Sequence, residues 1–144
     1  MKIIFLCVGN TCRSPFAEHY ARIQNQAVAQ LHTFTSRGIQ ARNGMVCSDM
    51  GSRIAAELGI DLSTHRAQQL SFYDIQTADL LLCVDDCVRE QVLLMEHYTA
   101  TPKCHLLSNT NIADPWGGTE ADYRATYRHI MQAVAFWQAT CFEH

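Results

Sequence analysis

The run "KIIFLC" at Lys2–Cys7 constrains the fold more than any other feature, because every residue after Lys2 is apolar. A strand that is apolar on both faces has to be covered on both, which is the condition of a central strand in a parallel sheet. Gly9 and Asn10 interrupt the run after Val8, too early for the apolar core of a secretory signal. From Pro15 the pattern changes to a helical period. Phe16, Tyr20, Ile23, Ala27 and Leu31 recur at spacings of three and four, with Glu18, Arg22 and Gln26 between them. This predicts a helix following the loop directly, with Ser14 as N-cap and Pro15 as its first residue.

The alternation continues to the end of the chain. "HTFTSRG", ending at Gly38, reads as a second strand. "SDMGSRIAAELGI" reads as a helix with Met50, Ile54 and Leu58 on one face, Ser48 as N-cap and Gly59 as stop. "DLSTHRAQQLS" is loop, "ADLLLCV" a buried strand, residues 86–97 a helix and "KCHLL" a short strand. "SNTNIADPWGG" is loop, and Thr119 to Asp122 open a long last helix presenting Tyr123, Tyr127, Ile130, Val134 and Trp137 on one side. Strands alternating with helices imply an α/β fold: a four-stranded parallel sheet with helices on both faces, in a single domain over residues 1–144. In such sheets ligands bind beyond the carboxyl ends of the strands, where the loop between the first strand and first helix lies.

Composition narrows the partners. A formal charge of −3 offers no basic excess to hold a polyanion, so nucleic acid is not expected. No apolar run is long enough to cross a bilayer, so no membrane partner is expected either. Seven cysteines, an odd number, argue for reduced thiols in the cytoplasm over a paired secreted framework. Cys7/Cys12 and Cys83/Cys87 are the close pairs, no C-x-x-C occurs, and a structural zinc site has no support in the spacing.

The loop "CVGNTCRSP" carries the chemistry. A strand ending at Cys7 and a helix opening at Ser14 aim the backbone N–H groups of Val8, Gly9, Asn10, Thr11, Cys12, Arg13 and Ser14 at one point, and that point attracts an anion. A cysteine facing these dipoles and the Arg13 charge is favoured as a thiolate, the nucleophilic form. The planar fork of Arg13 grips two oxygens of a tetrahedral oxyanion and tightens as charge spreads over them during transfer. Asn10 tolerates the left-handed backbone that a tight cradle requires.

Cys7, five residues, then Arg13-Ser14 is the signature of cysteine-dependent phosphatases, and the fuller string resembles the low-molecular-weight protein tyrosine phosphatases. The resemblance runs along nearly the whole chain: "SRG" where the family usually has Ser-Ala-Gly, then "GIDLSTHRAQQL", "ADLLLCVDD", and "DPWGG" before the last helix. It implies Cys7 as nucleophile, Arg13 as phosphate clamp and Asp114 as general acid. Asn10, Ser14, Ser36 and His65 resemble the network that shapes the loop. A carboxylic acid protonates the leaving oxygen, and the resulting carboxylate then activates the water that hydrolyses the cysteinyl-phosphate. The resemblance further implies no cofactor or catalytic metal, a phosphorylated protein as substrate, a tyrosine kinase as counterpart, and a monomer or weak dimer.

Three questions stay open in the sequence. Cys12 is either a packing residue or a redox guard that captures a sulfenic acid formed on Cys7. Thioredoxin-coupled arsenate reductases share this fold and loop and relay oxidation to further cysteines, which raises Cys83 or Cys87 as a relay, although "CVDDC" is shorter than that family's usual spacing. Thr11 stands where many tyrosine-directed members carry Ile or Leu, and it resembles the protein-arginine phosphatase branch, which also has Gly-Gly after its Asp-Pro-aromatic. Thr11, Arg42, Met45 and Trp116 are the candidates for the substrate pocket. A phosphate-binding module without catalysis has no support, since Cys7, Arg13 and Asp114 are all present.

Overall fold

A computed structural model describes residues 1–143. The elements run β1 (Lys2–Cys7), α1 (Arg13–Gln24), β2 (Thr33–Gly38), α2 (Asp49–Glu57), α3 (Phe72–Thr77), β3 (Leu80–Cys83), α4 (Asp86–Met95), α5 (His97–Ala100), β4 (Cys104–Leu106) and α6 (Glu120–Trp137). The four strands form one sheet in the order β2-β1-β3-β4, and every pairing is parallel. Side chains of a strand alternate between faces, and Ile3 to Leu6 are all fully buried, so both faces of β1 are covered as its composition demands.

On the first side α1 packs against β1, β2 and α6, and α2 packs against α6. The Phe16 and Tyr127 rings stack at 4.1 Å, and the Tyr127 hydroxyl donates to the Gly51 carbonyl at 3.2 Å, so α1, α2 and α6 meet at one aromatic contact. Each such ring contributes about 1.5–3 kcal/mol by leaving water. α4 covers β3 and β4 and packs with α5, which in turn meets α3. Among the described residues, no helix is long and apolar enough to cross a membrane.

Several boundaries differ from the sequence reading, each for a local reason. α1 begins at Arg13, with Cys12 in the N-cap position making no side-chain cap and Pro15 as the third helical residue. Ser14 is not the cap, because its hydroxyl is turned to Cys7 instead. The same helix stops at Gln24, where the Asn25 side chain and N–H both bond the Ala21 carbonyl; Ile23 and Leu31 are accordingly exposed and not on a buried face. α3 was not evident from apolar periodicity, since it has only six residues, but Ser71 and Asp74 close a full capping box around its start. The helix expected over 86–97 ends at Met95. Thr119 and Asp122 form the capping box expected for α6, and Ser48 caps α2.

Candidate active site

β1 delivers Cys7 to the carboxyl edge of the sheet, and the chain turns back over five residues to enter α1 at Arg13. Asn10 makes that turn at φ 55°, in the left-handed region where asparagine is among the best tolerated side chains. Its amide orientation is fixed by its partners. Oδ1 accepts from the Gln68 N–H at 2.9 Å, so Nδ2 faces the serines and donates to Ser14 Oγ at 2.8 Å and Ser36 Oγ at 2.9 Å. Ser36 donates in turn to Glu18 Oε1 at 2.6 Å. The Ser14 hydroxyl lies 2.8 Å from Cys7 Sγ and 3.4 Å from the Arg37 carbonyl, and the Asn10 N–H donates to the same sulfur at 3.2 Å. One backbone N–H and one hydroxyl thus meet at a single sulfur, and both are able to donate to it when it is a thiolate, which only accepts.

The end of β2 lies directly beneath this turn. Ile39 and Gln40 donate to the Cys7 and Val8 carbonyls, and a Cβ at Gly38 would stand 2.5 Å from the Val8 carbonyl oxygen and 3.0 Å from the Asn10 nitrogen. Glycine is what lets the strand approach so closely. From the other side His65 Nε2 bonds the Asn10 carbonyl at 3.0 Å; a carbonyl accepts only, so Nε2 carries the ring proton.

Arg13 is buried and aimed by fixed partners. Both protons of Nη1 are spent, on Asp85 Oδ2 at 2.8 Å and on the Ile112 carbonyl at 2.9 Å. Nε and Nη2 are left as a fork for two oxygens of a tetrahedral anion. Asp85 serves twice, since its Oδ1 caps α4 through the Val88 N–H. The Ile112 contact also ties the loop bearing Asp114 to the cradle, bringing Asp114 Oδ2 to 3.9 Å from Arg13 Nη2. Asp114 Oδ1 is held by the Trp116 N–H at 3.1 Å, and Oδ2 is the oxygen turned toward Arg13. Gly117, at φ 78°, turns the chain after Trp116.

A sulfur met by a hydroxyl and a backbone N–H, a guanidinium fork and a half-exposed carboxyl group are parts suited to moving a phosphoryl group from oxygen to sulfur to water. The family model for low molecular weight phosphotyrosine protein phosphatases matches residues 2–143. The chain belongs to that family. It is 32% identical over 139 residues to the low molecular weight protein-tyrosine-phosphatase PtpB of Staphylococcus haemolyticus, spanning 93% of this chain and 95% of that one. Among solved structures it resembles the YwlE arginine phosphatase of Geobacillus stearothermophilus, at TM-score 0.85 and 28% identity over 99% of this chain and 96% of that one. It also resembles Vibrio vulnificus Wzb in complex with benzylphosphonate, at TM-score 0.87 and 26% identity over 96% and 97% of the two chains. It is therefore a phosphatase, and its four-stranded parallel sheet is the fold of the low molecular weight phosphatases.

Against this phosphatase frame, Cys7, Asn10, Arg13, Ser14, Ser36 and His65 are brought together. Arg42 and Met45 lie exposed on the loop before α2, and Trp116 is exposed beside Asp114; no hydrogen bond from these side chains reaches the cradle among the described residues. Cys12 places its sulfur 3.7 Å from the Tyr127 hydroxyl, and burial pushes its thiol up to about 12. The sulfur of Cys83 neighbours Cys104 across β3 and β4 at 3.6 Å, a pair that sequence spacing did not suggest, while Cys87 is exposed on α4.

Glu18, Gln68 and Asp85 were missed in the sequence. Glu18 reads as part of a solvated helix face, yet it is 6% exposed because Ser36 and Arg22 hold it inward. The signal for Asp85 was its place just after β3, at the same carboxyl edge as Cys7.

His65 and His19 stand edge to face, with ring centroids 5.8 Å apart, and burial lowers both below the ordinary 6.5 against the opposing pull of Glu18. Below pH 6.5 the unfolded chain therefore holds more protons at these sites than the native one, so stability is full above that pH and is lost as pH falls. Thermal melts from about pH 7.5 to 5.5 should show Tm dropping by a few degrees, and less steeply in His19→Gln. Superimposable slopes for the two proteins would remove the histidines as the cause.

Proposed function

We propose that the enzyme hydrolyses phosphotyrosine on proteins through a phosphoryl group carried on Cys7. The observation that carries this is the meeting of the Ser14 hydroxyl and the Asn10 N–H at Cys7 Sγ, beside an arginine whose Nε/Nη2 edge is left for the substrate. The thiolate attacks phosphorus in line, the cradle N–H groups and Arg13 take the equatorial oxygens, and Asp114 protonates the departing phenolic oxygen. Asp114 then accepts a proton from the water that attacks the Cys7 phosphothioester, releasing phosphate and the thiolate. The exposed indole of Trp116 next to Asp114 supplies an apolar surface for the substrate ring. Cys12 fits a guard role at the end of the same loop: once peroxide has oxidised Cys7 to a sulfenic acid, the Cys12 thiol displaces water and forms a disulfide.

Phosphoarginine is the second reading, favoured by Thr11 on the partly exposed rim of the cradle and by the Gly117-Gly118 turn after Trp116. The test is kcat/KM on matched phosphotyrosine and phosphoarginine peptides, for wild type and Thr11→Ile. A tyrosine preference of about tenfold or more in the wild type supports the first reading. A preference for phosphoarginine that Thr11→Ile reverses would replace it with the second. For Asp114→Ala, kcat should fall about 10²–10³-fold with poor leaving groups and much less with activated aryl phosphates. Equal falls on both would remove its role as acid.

A further inference from the structure

Behind the cradle, Glu18, His19 and His65 each bring one ligand-capable atom to within 4.8 Å of the others. They line a separate polar cleft together with Arg22, Arg37, Thr64, Arg66 and Gln68, and Cys7 and Asp114 are not among its walls. We propose that this cluster is a binding site for a divalent transition metal of the zinc class, with water completing the coordination.

Three observations point to a metal over a plain polar contact. First, the His65 Nε2–H donates to the Asn10 carbonyl, which leaves the lone pair on Nδ1, and a carbonyl of this kind is what fixes the tautomer of a ligating histidine. Second, His19 Nε2 is buried with no hydrogen-bond partner among the described residues, 3.6 Å from Glu18 Oε2. A buried ring nitrogen left unpaired costs stability unless something else is bound there. Third, Glu18 supplies a carboxylate oxygen beside both rings, its Oε2 standing 3.6 Å from the His19 nitrogen. Two nitrogens and a carboxylate oxygen with an open position form a donor set suited to zinc.

Arg22 is the competitor. Its Nη1 holds Glu18 Oε2 at 2.8 Å and its Nε donates to the Phe34 carbonyl at 2.9 Å, so a cation that takes the carboxylate has to break the first contact while the second keeps the side chain beside β2. Occupancy would be felt at Cys7, because Glu18 anchors Ser36 and His65 supports the Asn10 carbonyl. Drawing Glu18 toward a metal slackens Ser36, then the Asn10 amide, then the Ser14 hydroxyl that points at the sulfur. The site is thus a place where free zinc lowers turnover without touching the nucleophile, whichever phosphorylated residue is the substrate.

The test uses zinc itself, titrated against a chromogenic chelator into the Cys7→Ser/Cys87→Ser protein, which lacks the nucleophile and the exposed thiol. The expected result is one zinc per chain, bound at least about tenfold more weakly in His19→Gln, since even outer-shell losses cost that much, and more tightly in Arg22→Gln. Cobalt substituted at the site should show ligand-field absorption without a thiolate charge-transfer band. In the otherwise wild-type enzyme, zinc should lower kcat and His19→Gln should weaken that response. Equal affinity with and without His19, a thiolate band, or unchanged inhibition in His19→Gln would place the metal on a cysteine and overturn the assignment.

Discussion

Cys7→Ser is expected to abolish turnover of aryl phosphates, by about four orders of magnitude or more, while the protein still folds and still binds phosphate. The substitution replaces sulfur by oxygen in a position that is 3% exposed and leaves the Ser14 and Asn10 donors in place. What is lost is the proposed nucleophile: a serine hydroxyl here has no general base among its described hydrogen-bonded neighbours, whereas a thiolate needs none. Binding of inorganic phosphate or vanadate, read by calorimetry, should survive within an order of magnitude, because the cradle N–H groups and Arg13 remain. Residual turnover above about one per cent of wild type would require another nucleophile.

Arg13→Lys should lower kcat by about 10³-fold, although the charge is preserved. The guanidinium holds four relationships at once: Nη1 bonds Asp85 and the Ile112 carbonyl, and the Nε/Nη2 edge remains for two substrate oxygens. A lysine ammonium is a single point with three donors and has no planar fork to divide among these tasks. It also removes the stitch between the cradle and the loop that carries Asp114, so phosphate affinity and the leaving-group dependence should both worsen. Steady-state kinetics with phosphate as product inhibitor reads both effects. A loss below about tenfold would mean that charge alone suffices and that the fork is not used.

The sequence made the sheet legible because β1 and β3 have the extreme composition of strands buried on both faces, and nothing but a central position satisfies them. The loop was legible because it is local: seven consecutive residues carry both the proposed nucleophile and its proposed clamp. What stayed hidden depends on tertiary contact. Glu18 sits on a helix whose spacing marks it as solvated, and only the approach of β2 through Ser36 turns it inward. Asp85 looks like a helix cap, which it is, and its second oxygen acquires meaning only when α1 brings Arg13 to it. The extent of α1 was misread because the apolar periodicity runs on through Leu31, whereas Asn25 ends the helix with two bonds to the Ala21 carbonyl.

The account rests on a phosphoryl group passing through Cys7, and one measurement reaches that claim directly. Wild-type and Asp114→Ala enzyme, mixed rapidly with an activated aryl phosphate and quenched with acid, are digested and examined by mass spectrometry. The expected result is a single phosphoryl group on the peptide containing Cys7, accumulating more in the variant because hydrolysis of the intermediate has lost its base. Product release by an enzyme whose Cys7 peptide stays unmodified through the burst, or a phosphoryl group found on any other residue, would contradict the mechanism.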